Sequence, residues 1–96
     1  MANKISNFRL FLHKISDKLG SEDLKHLKFL CYDILTKAKL ERITNAKELF
    51  VAIGEVSEGE DGQLDLIKQL LTQASRLDLA KEVDEQQSKS GTLHSF

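Results

Sequence analysis

Apolar residues recur along this chain at intervals of three and four, and no proline interrupts them anywhere in its 96 residues. At about 100° per residue, that spacing gathers the apolar side chains on one face of an α-helix. Ile5, Phe8, Phe11, Leu12, Ile15 and Leu19 form a first stripe. Gly20 is expected to end that helix, with Ser21 capping the next and Glu22 and Asp23 at its positive end. Leu24, Leu27, Leu30, Cys31, Ile34 and Leu35 form a second stripe. Residues 36–43 are polar and basic with Leu40 as an anchor, and read as a loop or one short helix. Asn45 and Glu48 have the spacing of a capping box before Leu49, Phe50 and Ile53. Residues 57–62 read as an acidic, glycine-bearing turn. Leu64, Ile67, Leu70, Leu71 and Ala74 mark a further helix, and Leu77, Leu79 and Val83 a last one over residues 75–84. From Glu85 onward the chain is polar and reads as a frayed tail. No stretch sustains a period of two. The class is therefore all-α: five solid helices and one short one, each with a single apolar side, packed as a six-helix antiparallel bundle.

Composition narrows the function. Ninety-six residues make one domain, not two. Lys and Arg total 14 against 15 Asp and Glu, a net charge of −1. That balance lacks the long-range positive field of a nucleic-acid binder. The longest uncharged apolar run, residues 49–54, is far short of a bilayer span, so no membrane insertion is expected. The start of the chain lacks the apolar stretch of a signal peptide. One cysteine cannot staple a domain and suits a reducing compartment. The expected location is the cytoplasm.

Three apolar residues do not fit the stripes. Phe29 points roughly 180° away from the side that carries Leu27, Cys31 and Ile34, among Lys25, His26 and Asp33. It reads either as an ordinary exposed apolar residue or as a binding anchor, since aromatics dominate interface energetics. Leu10 in the first helix and Leu66 in the fifth are similarly off-stripe. Arg76 and Asp78 bracket the break between the last two helices. Two residues apart, they do not face each other on one helix; a bend or a third partner is needed, and Asp23 is the acid nominated. Local sequence alone favours a capping aspartate and a solvated arginine. Catalytic chemistry finds little support. His13 and His26 fall on polar faces, His94 lies in the tail, and Cys31 sits on an apolar side as a buried thiol. The acidic turn fails as an EF-hand loop, because Gly59 falls at a ligand position and Lys68 replaces the bidentate glutamate. The cluster Lys37, Lys39 and Arg42 is three charges among acids. A small regulatory enzyme or metal-binding bundle is the competing class, and no convergent His, Cys or acidic constellation supports it. No cofactor and no metal are expected.

Taken together, Leu27-Lys28-Phe29-Leu30-Cys31 after an acidic cap, Leu40-Glu41-Arg42, Glu48-Leu49-Phe50 and Arg76-Leu77-Asp78-Leu79 resemble a death effector domain over about residues 8–84. The resemblance implies the death fold, a six-helix antiparallel bundle with a short third helix. It implies a charge triad of Asp23, Arg76 and Asp78, with Glu22 as a substitute acid. It implies that Phe29 and Leu30 form a binding pair, joined by His13 on the first helix and by Lys37, Lys39, Glu41 and Arg42; Ala38 stands where adaptor members carry a basic residue, and Leu10, off-stripe beside His13, is counted with the binding residues. The implied protein is not an enzyme. It recruits initiator procaspases through their death effector domains, binds their decoy inhibitors, and self-associates. The alternative is the first domain of a tandem procaspase prodomain, or a decoy itself. Residues 1–84 are expected to be the domain and 85–96 a disordered tail, where an adaptor would continue towards a death domain.

Overall fold

The computed structural model describes residues 6–90. The elements are α1 (Asn7–Asp17), α2 (Ser21–Leu30), a 3₁₀ turn (Cys31–Asp33), α3 (Lys37–Arg42), α4 (Ala46–Glu55), α5 (Gly59–Gln73) and α6 (Leu77–Ser90). The six-helix all-α architecture with a short third helix is as the sequence pattern predicts. Ile5 and His94 lie outside the described residues.

Local chemistry explains most of the boundaries, and corrects several expectations. Ser6, Thr36 and Asn45 each accept the amide of the residue three further on, at 2.9–3.1 Å, and so start α1, α3 and α4. The expected box at α4 is only half formed, because the Glu48 carboxylate turns to the Thr44 amide at 2.8 Å. Gly20 does not end α1, which stops at Asp17. It is instead the N-cap of α2, and its N–H donates to Asp23 at 3.0 Å. Ser21 is thus the first helical residue rather than the cap, since the capping carboxylate comes from inside the helix. The second stripe outlasts its α-helix: the backbone tightens at Cys31, whose carbonyl accepts from Ile34 at 2.9 Å and Leu35 at 2.8 Å. Only Ser57 and Glu58 of the acidic segment lie outside a helix. Gly59 opens α5 at φ +74°, which glycine adopts without steric cost, and Glu60 and Asp61 lie in the first helical turn, where carboxylates suit the helix dipole. α6 continues to Ser90, past the point where a tail was expected.

The stripes meet in one core. Ile15, Leu27, Cys31, Leu49, Phe50, Ile53, Leu64, Ile67, Leu71, Leu79 and Val83 are almost wholly buried. α5 packs on α6, α4 and α2, and α1 packs on α4. With neighbours on several sides, α5 buries a wide arc. Leu66, expected off the stripe, is therefore half-buried against the core. Leu77 is the converse: the pattern places it in the core, yet at the first position of α6 it is 63% exposed.

One polar group ties α4 to α5 inside this core. Gln63 is buried, and its Nε2 donates to the Phe50 carbonyl at 2.8 Å. A methyl group at Gly54 would stand 2.8 Å from that nitrogen. Alanine normally favours a helix over glycine by about 1 kcal/mol. Here Gly54→Ala is expected to lower stability by about 1–3 kcal/mol, because Gln63 must give up its acceptor. Urea unfolding of Gly54→Ala, Gln63→Ala and the double variant checks this; the cost of alanine at position 54 should largely vanish once Gln63 is truncated.

Candidate functional site

α5 ends in a left-handed turn that positions Arg76. The Ser75 backbone sits at φ +66°. Its amide bonds the Thr72 carbonyl at 3.1 Å, and the Arg76 amide bonds the Leu71 carbonyl at 2.9 Å, the two bonds of a Schellman motif. Glycine usually holds that position, so Ser75 carries backbone strain. The Arg76 guanidinium then reaches three elements. Nη1 donates to Asp23 at 2.6 Å and to the Lys18 carbonyl at 3.3 Å. Nε and Nη2 each donate to one oxygen of Asp78 at 3.2 Å, a bidentate grip. Asp23 both caps α2 and receives Arg76, so neither half of the local reading, a capping aspartate or a solvated arginine, describes the pair alone. Glu22 is not the substitute acid: it lies 3.4 Å from Lys25. Lys18 and Glu82, 2.9 Å apart, add a second tie between α1 and α6.

On the other side of α2, Phe29 is 71% exposed. Its ring lies 5.8 Å from that of Tyr32, tilted by 41°, and Tyr32 is 62% exposed. Tyr32 escapes a reading that looks only for stripe misfits; the signal was its place three residues after Phe29, one helical turn away. Leu30 is half-buried against the core and anchors the helix beneath this knob. Lys28 donates to the Ile43 carbonyl at 2.8 Å, fixing α2 to the segment after α3. α3 divides the four charged residues singled out on it. Lys37 and Glu41 face the hollow beside Phe29 and Tyr32, whereas Lys39 and Arg42 face α4, with Lys39 2.7 Å from Glu55.

A groove of about 490 Å³ opens between α1, α3 and α4. Leu12, Phe50 and Val51 form its apolar floor, and Val51 is 51% exposed. His13 stands at its edge, 3.3 Å from Asp17. Leu10 is exposed on a different face of α1 and does not line it. Burial pushes the Cys31 thiol up to about 11, so at neutral pH it is protonated and no nucleophile. Among the described residues, no three His, Cys, Asp or Glu side chains gather as a metal site. The site thus combines one aromatic projection, one apolar groove, and a hydrogen-bonded clamp that fixes the helix carrying the projection.

The family model for the death effector domain matches residues 8–89. Caspase-8 of Mus musculus is 44% identical over 73 residues, covering 76% of this chain and 15% of its own length. FAS-associated death domain protein of Homo sapiens is 38% identical over 78 residues, covering 81% of this chain and 38% of its own. Its Mus musculus counterpart is 35% identical over 85 residues, with 88% and 42% covered. The chain thus spans less than half the length of each of these relatives.

The clamp has a pH signature. Hydrogen bonding from Arg76 holds the Asp78 carboxyl below its ordinary value of 3.8. A carboxyl whose pKa falls on folding stabilises the fold above its unfolded value, and that contribution disappears as pH drops through the folded value. Asp78→Asn is therefore expected to unfold at lower urea than the wild type near neutral pH. The gap should close progressively below pH 3.8. A gap independent of pH across that window would show that the Arg76–Asp78 pair is not what the substitution removes.

Proposed function

The chain belongs to the death effector domain family, and on that footing we propose that it is a non-catalytic docking module that recruits initiator procaspases in the cytoplasm through contacts between death effector domains. The observation that carries this reading is Phe29: a large aromatic held outside a core that is complete without it, on a helix fixed by Arg76 and Lys28. Aromatic anchors on rigid elements supply most of the energy of compact interfaces. The projection and the groove are different surfaces, so docking is head-to-tail, and contacts of that kind do not close on themselves. Clustered procaspases meet at a raised effective concentration, which is how a module without an active site promotes proteolysis.

The second reading is the first domain of a tandem procaspase prodomain, or a decoy. The 44% identity to mouse caspase-8 favours it. Reconstitution with a purified initiator procaspase separates the roles: an adaptor accelerates procaspase self-cleavage when it is itself clustered, and a decoy slows it.

Phe29→Ala removes a side chain that leaves no cavity, so the expected loss of stability is about 0.5 kcal/mol or less. Truncating a central anchor typically costs ~2 kcal/mol of binding, about thirtyfold in affinity. Chemical unfolding and binding to a procaspase prodomain, measured on the same variant, check both numbers. Normal binding by a stable Phe29→Ala protein would place the docking surface elsewhere.

A further inference from the structure

The charges around the two candidate surfaces have the same sign. The mouth of the groove carries Arg9, Lys39, Arg42 and Lys47 against Glu48 and Glu55. Glu55 is taken by Lys39, and Glu48 by the Thr44 amide and hydroxyl. Lys47 lies 3.8 Å from Asp17, a loose pair. Arg9 and Arg42 make no ion pair among the described residues. The groove is therefore an apolar floor under a basic rim. The hollow between Phe29, Tyr32 and α3 is lined by Lys25, Lys28 and Lys37 against Glu41. Glu22 offsets part of Lys25, across a pair that is largely exposed at both ends. Asp33 lines neither of the hollows beside Phe29.

We infer that the groove takes an apolar side chain collared by carboxylates and carried by a different protein, because this chain's own Phe29–Tyr32 projection brings a lysine collar to a basic rim. This rests on the reading of the chain as a head-to-tail docking module and narrows it. The projection is apolar like the groove floor, while its charge selects against a second copy. Like charges across an interface suppress the wrong partner, and opposite charges speed and orient the right one. The expected self-association is then the weaker contact, and docking on an acid-collared partner the stronger one.

The test swaps charges on one face at a time and reads self-association by sedimentation equilibrium at low salt. The charge swap compares wild type, Lys25→Glu/Lys37→Glu, Arg9→Glu/Arg42→Glu, and the quadruple variant. All four positions are exposed, and thermal unfolding checks that each variant is folded. Each double variant is expected to self-associate about tenfold or more tightly than wild type, with the gain fading at high salt, and the quadruple variant to return towards wild type. Adding Val51→Asp to Lys25→Glu/Lys37→Glu should abolish the gain. Double variants that associate no better than wild type would overturn the inference, as would a gain that survives Val51→Asp. Wild type that already associates as tightly as the double variants would make a second copy the occupant and overturn it too. If prodomain binding depends on Phe29 while the charge swaps change nothing, the charge rule alone fails. If prodomain binding ignores Phe29, the underlying docking reading fails.

Discussion

Six helices, the longest of 15 residues, share one apolar core, and a few polar ties between elements only supplement it. Helices this short are marginal in isolation and gain their stability from packing an apolar face. The single cysteine lies buried as a free thiol, so no disulfide contributes. α5 is where the constraint concentrates: Leu64, Ile67, Leu70 and Leu71 face inward, with α4, α6 and α2 packed around them. A core that takes up nearly all of the stripe residues gives meaning to what it leaves out. Phe29, Tyr32 and Val51 remain exposed outside it.

The polar clamp at Arg76 acts on geometry more than on energy. Surface ion pairs are each worth roughly 0–1 kcal/mol; Asp78 is exposed and the Arg76–Asp23 pair only partly buried, so the clamp is small beside the core. Its value is positional. One guanidinium joins the end of α1, the start of α2 and the start of α6, and Asp23 couples that junction to the first turn of the helix that carries Phe29. Lys28 ties the far end of the same helix. The aromatic projection therefore stands on a helix restrained at both ends, which lowers the ordering cost of docking.

Periodicity made most of the fold legible, because burial on one face of each helix leaves its mark every three or four residues. The angle of Phe29 was readable for the same reason. Boundaries were less so. Gly20 has the residue type of a C-terminal stop and Ser21 that of a cap, yet Asp23 takes the Gly20 amide and moves the start of α2. The Arg76–Asp23 contact spans 53 positions and has no local signal; Asp23 could be nominated as the third partner, but local sequence favours a capping aspartate and a solvated arginine, and only the family resemblance implies the triad. Tyr32 was legible by the same angle, since three residues after Phe29 it lies on the same outward face; a search for misfits to the apolar stripe passes over it. Of the groove, the family resemblance pointed only to His13, Lys39 and Arg42 on its edges; its floor of Leu12, Phe50 and Val51 could not be read, since three helices build it and no single segment carries its pattern.

The central claim is that the Phe29–Tyr32 face of α2 meets the partner. Amide and aromatic resonances of isotope-labelled protein, followed during titration with a procaspase prodomain, test it without altering the molecule. The account predicts that the Phe29 and Tyr32 ring signals and the amides of α2 shift first and saturate together, while the buried residues of α5 stay in place. Saturating binding with the Phe29 and Tyr32 signals unmoved, and shifts confined to α6 and the outer face of α5, would contradict it.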